Sequence, residues 1–285
     1  MSRLTARQLI LNNIELISLP EVMFEINQMM DDPNCSAAEI GQLVSSDPAL
    51  TARLLRVVNS PIYGFPSQIQ TVSMAITVLG MRQLRDMVLA TTVVDQFRSL
   101  ADEVVNMETY WCHSICTALG ARAIGATMRA SNTERFFVAG LLHDIGKLAM
   151  YVSYPDPSRQ VIELSAESAI EKEYLEKSIF GFTHAEVGAE LLRHWRLPES
   201  LIEPTQYHHH PMQARRFAVE TAAVHIADCI ANNIQSPVSA DDDLPIQPVA
   251  WSILNLDPAI LEGLHEEIYE QLDHSLNIIY YDLAA

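Results

Sequence analysis

Apolar residues recur at helical spacing along nearly the whole chain, and no run alternates polar with apolar in the manner of a half-buried strand. No segment repeats at a fixed period either, so the chain is expected to be all-α, a bundle of distinct helices. Several helix boundaries are readable. Ser36 and Glu39 make a capping box ahead of Ile40, Leu43 and Val44, and Asp47-Pro48 opens a second helix carrying Leu50, Leu54, Leu55 and Val58. Asn59-Ser60-Pro61 ends it, because proline disfavours a helical conformation in its predecessor. After a loop to about Gln70, Thr71 opens an amphipathic segment with Val72, Ala75, Ile76 and Leu79 on one side, expected to run past Gly80 toward Val94.

With 285 residues, 49% hydrophobic and 19% charged, the chain can bury one large core or two modest ones. A soft boundary near residue 100 and an acidic, proline-punctuated linker from Ala240 to Pro245 divide it into residues 1–100, 101–240 and 241–285. Asp257 and Pro258 cap a last helix, whose Ile260, Leu264, Ile268 and Leu272 are spaced to pack back on the body. The formal net charge of −18 argues against a general nucleic-acid binder. Arg53 and Arg56, on the second helix of a pair that has helix-turn-helix spacing, are too few to hold a duplex, and a packed hairpin is the better reading. The longest uncharged stretch, Val57 to Met81, contains Asn59, Pro61, Gly64, Pro66, Gln68 and Gln70, so no transmembrane helix is expected. Asn12, Asn13 and Glu15 interrupt any signal-peptide core, and a cytoplasmic location without membrane or nucleic-acid partners is the expectation. The four cysteines, Cys35, Cys112, Cys116 and Cys229, form no CxxC pair and are expected to be reduced and buried.

The histidines crowd the middle of the chain. The most specific string runs from Phe136 to Lys147, where an apolar helix delivers His143, Asp144, Gly146 and Lys147. Burying His143 and Asp144 among Leu141, Leu142 and Ile145 leaves a carboxylate poorly solvated unless a cation meets it. A divalent metal would do so, since borderline first-row ions accept imidazole and carboxylate together; a structural hydrogen-bond network is the alternative. Upstream, His113 lies in the apolar helix Trp111–Cys116; downstream, Asp228 lies in Val224–Cys229.

In order along the chain these residues read H…HD…D, and here the sequence resembles the HD superfamily of metal-dependent phosphohydrolases. Thr183-His184-Ala185-Glu186-Val187-Gly188, then Trp195 and Leu197-Pro198, then Tyr207-His208-His209-His210-Pro211 resemble later motifs of the HD-GYP phosphodiesterases and their HDOD (HD-related output domain) relatives. Leu19-Pro20, the run from Asp47 to Ser60 and Ile76-Thr77-Val78-Leu79-Gly80 are similar to HDOD proteins in particular, and the likeness spans about residues 10 to 235. The resemblance implies an HD-type helical bundle behind a helical HDOD lobe. It also implies that His113, His143, Asp144 and Asp228 bind one metal, and that Asp144 bridges to a second ion held by His184, His208 and His209. One or two divalent transition-metal ions are implied, with iron, manganese, zinc and nickel all compatible.

The same resemblance makes Asp144 and Lys147 the catalytic candidates, Lys147 standing where the HD-x-G-K string contacts a phosphate, although a solvated surface lysine remains open. Arg193, Arg196, Arg215 and Arg216 are further cations with nothing in their spacing to single them out; His194 and His210 read as bystanders and His225 as a support for Asp228. The sequence departs from HD-GYP members in two places. Thr109 stands where they carry a glutamate, with Glu108 one position off, and Pro211 to Arg216 replace the GYP segment. Residues 1–100 contain no ligand candidates, which suits a regulatory lobe that meets a signalling partner. Two functions are therefore expected to compete. One is a metal-dependent phosphohydrolase acting on a phosphomonoester or phosphodiester, with a nucleotide as the leading class and a role in signal transduction. The other is a non-catalytic signalling module built on the same site.

Overall fold

The computed structural model describes residues 5–13, 17–32, 34–61, 63–98, 100–167, 172–235 and 245–281. Among these residues there are helices and no strand, as the periodicity requires. The N-terminal part comprises α1 (Ala6–Asn12), α2 (Glu21–Asp31), α3 (Ala37–Ser45), α4 (Pro48–Val58), α5 (Val72–Leu79) and α6 (Met81–Phe97). The expected starts are in place. Ser36 and Glu39 exchange their capping-box hydrogen bonds at α3, and the Asp47 carboxylate accepts from the Ala49 and Leu50 N–H groups at 2.9 and 3.0 Å at α4. The segment after Thr71, however, is two helices rather than one. Gly80 sits at φ +85°, which breaks the ladder and turns α6 across the lobe. Arg53 pairs with Asp95 of α6, so one of the two arginines of the helix-turn-helix reading is spent inside the fold.

The remaining helices are α7 (Met107–Thr127), α8 (Thr133–Leu142), α9 (Ile145–Ser153), α10 (Pro155–Glu167), α11 (Lys172–Ile179), α12 (His184–His194), α13 (Glu199–Tyr207), α14 (Ala218–Gln235), α15 (Pro248–Leu254) and α16 (Leu261–Leu276). α7 is central, packed against α8, α14 and α16. It is buried on nearly every side, which is why it lacks a polar face. Asp257 and Pro258 start a single 3-10 turn, Pro258–Ile260, rather than α16 itself, so Ile260 precedes the helix and is only partly buried, while α16 lays Leu264, Ile268 and Leu272 into the body as the spacing predicts. Of the linker expected from Ala240 to Pro245, only Pro245 lies within the described residues.

One apolar core runs from Leu9 to Ile279. Across it, Trp195 donates its indole N–H to the Ile17 carbonyl at 2.9 Å and stacks on Phe97 with ring centroids 5.7 Å apart. α1 lies against α12, and the Tyr63 hydroxyl of the N-terminal lobe donates to Glu134 on α8, which also accepts from Arg122 at 3.2 Å. One segment among the described residues, Thr133–Ser153, is long and apolar enough to cross a membrane by length and composition, and 83% of that window is buried inside the fold. No cysteine is in a disulfide; Cys116 and Cys229 are buried, whereas Cys35 and Cys112 are partly exposed because they lie near element surfaces.

Candidate metal centre

The His143-Asp144 pair does not lie within one helix. α8 stops at Leu142, Asp144 adopts φ −99° and ψ 7°, and α9 starts at Ile145. The break has a geometric reason. Consecutive residues of a continuous helix point about 100° apart, so two neighbours aim at one centre only where the chain turns. Gly146 lets the opposite wall approach: a Cβ there would lie 2.0 Å from the His184 carbonyl oxygen and 2.5 Å from the Gly188 nitrogen. α9 and α12 therefore touch backbone to backbone, which brings His184 against Asp144. Thr183 and Glu186 form a capping box that starts α12 with His184 as its first residue.

All seven residues named as ligands from the resemblance come together, and Lys147 joins them. On one side, the His113 Nε2 is 3.1 Å from Asp228 Oδ1 and 3.3 Å from the His143 Nε2, and the His143 Nε2 is 3.4 Å from Asp144 Oδ2. On the other, the His184 Nε2 is 3.3 Å from Asp144 Oδ1, 3.4 Å from the His208 Nε2 and 3.1 Å from the His209 Nε2. Asp144 thus offers one oxygen to each set. His143, Asp144, His184 and His208 are each no more than 2% exposed.

The far nitrogens fix the tautomers. The His143 Nδ1–H donates to the Gly140 carbonyl at 2.7 Å, the His208 Nδ1–H to the Thr205 carbonyl at 2.9 Å and the His184 Nδ1–H to Glu176 at 2.7 Å. A carbonyl only accepts, so His143 and His208 keep their proton on Nδ1 and turn an Nε2 lone pair inward. Burial and the neighbouring His209 push His208 well below the ordinary histidine range, and burial with the adjacent His184 takes His209 to about 3. Both are neutral bases at physiological pH. Burial disfavours the charged His184, but Glu176 overrides it and raises this group to about 9. Burial likewise opposes ionisation of Asp144 and Asp228, yet His143 and Lys147 around the first, and His113 and His143 on the second, hold both carboxyls well below their usual range.

These features fit a cation. Asp144 Oδ1 is buried and has only ion-pair contacts among the described residues, with His184 Nε2 at 3.3 Å and His208 Nε2 at 3.7 Å, and the Nε2 lone pairs of His143 and His208 turn toward the same space. Three overlapping groups, His184 with His208 and His209, His113 with His143 and Asp228, and His143 with Asp144 and His208, each place ligand atoms within 4.8 Å of one another. Imidazole and carboxylate donors suit a divalent transition metal.

Lys147 is not a free surface lysine: its side chain is 16% exposed and its ammonium pairs with Asp144, whose charge outweighs burial and raises the lysine above its ordinary range. His225 donates from Nδ1 to the His208 carbonyl at 2.7 Å and accepts the Gln247 N–H at 3.0 Å, bracing the His208-His209 segment rather than Asp228. His210 turns away to Glu173 at 3.2 Å, and Arg193 is held by Glu190 and Gln206 at the surface. Arg215 and Arg216 contribute backbone N–H groups to Glu203. Thr109 lies on the exposed first turn of α7, its N–H capped by Asn106.

Sequence reasoning missed two groups. Glu176 orients His184, and Asn232 donates to Asp228 Oδ1 at 2.9 Å. Glu176 sits in the charged run Glu171 to Lys177, which reads as a solvated face; Asn232, one helical turn after Asp228, was open to the spacing argument used for His225.

Known proteins carry the same arrangement of helices. A "putative phosphohydrolase" from Shewanella amazonensis SB2B aligns over 97% of this chain and 98% of its own, with 23% identity and a TM-score of 0.75. A "putative signal transduction protein" from Marinobacter aquaeolei VT8 aligns over 96% of this chain and 61% of its own, with 20% identity and a TM-score of 0.74. At these identities the likeness is one of fold. An uncharacterized protein of Treponema pallidum (strain Nichols) is 29% identical over 196 residues, which is 68% of this chain and 38% of that protein, so the chain spans well under half the length of this curated relative. The HDOD domain pattern matches residues 16–211, more than half of the chain, and takes in every candidate ligand except Asp228. The protein is a member of the HDOD domain family, and its fold gathers a His/Asp cluster.

Proposed function

We propose that the chain is a metal-dependent phosphohydrolase with a two-ion centre, acting on a phosphomonoester or phosphodiester, with a nucleotide as the leading substrate class, in a signalling setting. The observation that carries this reading is the Asp144 carboxylate, whose two oxygens each face a separate set of histidines. In this reading His113, His143, Asp144 and Asp228 hold one ion and His184, His208, His209 and Asp144 the other. Bound ions of this kind supply Lewis acidity toward a phosphoryl oxygen and a water of lowered pKa. The chain's own groups do the rest. Glu176 and the Gly140 and Thr205 carbonyls fix the imidazoles, so the ligands need not reorganise. Lys147, half-buried beside Asp144, is the ammonium placed to take a non-bridging phosphoryl oxygen. The signalling role is supported by the ligand-free N-terminal lobe and by the name of the Marinobacter neighbour.

A non-catalytic module is the second reading, and the Lys147–Asp144 and His184–Glu176 pairs favour it, since they neutralise part of the cluster without metal. Elemental mass spectrometry on protein purified without chelator or histidine tag, alongside His143→Ala and Asp144→Ala, separates the two. About one or two equivalents of a transition metal, lost in both variants, followed by turnover in a phosphate-ester screen, is the expected result. A folded, metal-free wild type would overturn the phosphohydrolase reading.

A further inference from the structure

A cavity of about 570 Å³ lies where the N-terminal lobe meets the helices of the His/Asp cluster. Its volume is that of a small-molecule site. Three helices of eight residues or more begin at its rim: α6 after Gly80, α8 after Asn132 and α13 after Pro198. A helix N-terminus presents unpaired N–H groups and the positive end of the helix dipole. Asn132 caps α8 by accepting the Arg135 N–H at 3.2 Å, but neither Gly80 nor Pro198 gives α6 or α13 a side-chain cap.

Arg82, Arg85 and Arg135 line the same cavity, an unusual concentration of cations in a chain of net charge −18. Two of the three have carboxylate partners, and Asp86 also lines the cavity. Asp86 accepts from Arg85 at 3.0 and 2.7 Å, and Glu220 pairs with Arg135 at 2.6 Å. Arg82 has no ion pair among the described residues, and the Arg135 Nε is buried without a hydrogen-bond partner there. Ser200 gives an observation independent of charge. It lines the cavity at 8% exposure, and its hydroxyl has no hydrogen-bond partner among the described residues. That oxygen is not one of the fully buried unpartnered atoms, so the hydroxyl opens into the cavity as a donor available to a ligand acceptor.

We infer that this cavity binds a phosphorylated small molecule, its phosphoryl oxygens taken by Arg82, Arg135, Ser200 and the uncapped N–H groups of α6 and α13. Donors arriving from three helices suit an anion with several oxygens, where a single carboxylate would leave most of them unmet. The volume leaves room for an organic part beside the oxyanion. The site is distinct from the His/Asp cluster. α8 and α13 lead from the rim to His143 and His208, helices on the order of 15 Å long at 1.5 Å per residue. An occupant would touch α6 of the N-terminal lobe and two helices that end in cluster histidines, so it would bear on both lobes at once.

Calorimetric titration of the full chain with inorganic phosphate and, separately, with ADP tests this, in the presence and absence of a chelator. The expected result is binding of at least one probe that survives the chelator, weakens about tenfold in Arg82→Ala, the size of one charge-assisted hydrogen bond, and weakens further in Arg82→Glu. Arg82 is exposed on the first turn of α6, so its substitution leaves the fold intact. Ser200→Ala is a second variant, expected to weaken binding severalfold. Phosphate binding as tightly as ADP would identify a free oxyanion as sufficient, and tighter ADP binding a phosphorylated organic ligand; both support the site. Failure of both probes to bind, binding abolished by the chelator, or binding indifferent to Arg82 would each overturn it.

Discussion

Two regions of the molecule solve opposite problems with the same secondary structure. In the N-terminal lobe, α3 and α4 are started by Ser36 and Asp47, their apolar faces close on one another, and buried polar groups are few. Around α7 to α14, by contrast, the fold buries five histidines of the cluster or its support together with Asp144 and Asp228. Desolvating that many ionisable groups costs free energy, and the helices there are held in place by contacts that an apolar core does not need. The first region is organised around apolar contact, and the second around a concentration of ionisable groups that Lys147 and Glu176 offset in part.

The comparison breaks most completely at Asp144. Asp144→Asn keeps the volume but halves the carboxylate offered to the two histidine sets, and the expected outcome is loss of nearly all bound metal, read by elemental analysis, and of any phosphoesterase activity, read by release of phosphate or alcohol from a phosphate ester. No residue of α1 to α6 should have that effect. Next in size is a single methyl group. Gly146→Ala forces a Cβ to within 2.0 Å of the His184 carbonyl, backbone against backbone, so the helices must separate. A loss of about 3 kcal/mol or more, a fall of roughly 6 °C or more in Tm, is expected by calorimetry. The same change in the N-terminal lobe meets a side chain instead: at Gly41 the new Cβ would lie 3.2 Å from the end of Ile76, which yields. Gly41→Ala should alter stability by less than about 1 kcal/mol. Equal losses at the two glycines would erase the distinction.

What the sequence made legible follows the same division. Local signals, such as the Ser36-Glu39 box and Asp47-Pro48, specified the helices of the first lobe because capping is decided within four residues. The continuous helix expected across Gly80 failed because apolar periodicity persists through a glycine whose φ of +85° only the fold decides. The seven candidate ligands were picked out through a family likeness, since no spacing rule joins His113 to Asp228 across so many helices. Even there, the unbroken helix expected through His143 and Asp144 hid the turn that aims both side chains. Glu176 escaped notice because its run of charges, Glu171 to Lys177, is indistinguishable from a solvated surface until α11 is placed against α12.

Glu176 sharpens the contrast within the cluster itself. It accepts from both the backbone N–H and the Nδ1–H of His184, at 2.8 and 2.7 Å, and no equivalent carboxylate stands behind His143, which uses the Gly140 carbonyl. Glu176→Gln should therefore lower metal affinity by about 10- to 100-fold at the His184, His208 and His209 set while leaving the His113, His143 and Asp228 set loaded, a drop toward one equivalent in elemental analysis. Equal loss from both sets would mean that the cluster binds as one unit.

The smallest expected effect belongs to the first lobe. Asp47→Ala removes the acceptor for two N–H groups at the start of α4 and should cost about 1 kcal/mol, or roughly 2–4 °C in Tm. Metal content should stay at the wild-type value, because α4 contributes no ligand and Asp47 lies on the far side of α6 in the chain from every member of the cluster. The measurement pairs calorimetry with elemental analysis on one sample. A cap deletion that also strips metal would show that the lobe's local stability and the charge balance of the cluster are a single cooperative quantity, coupled through the apolar core the two share.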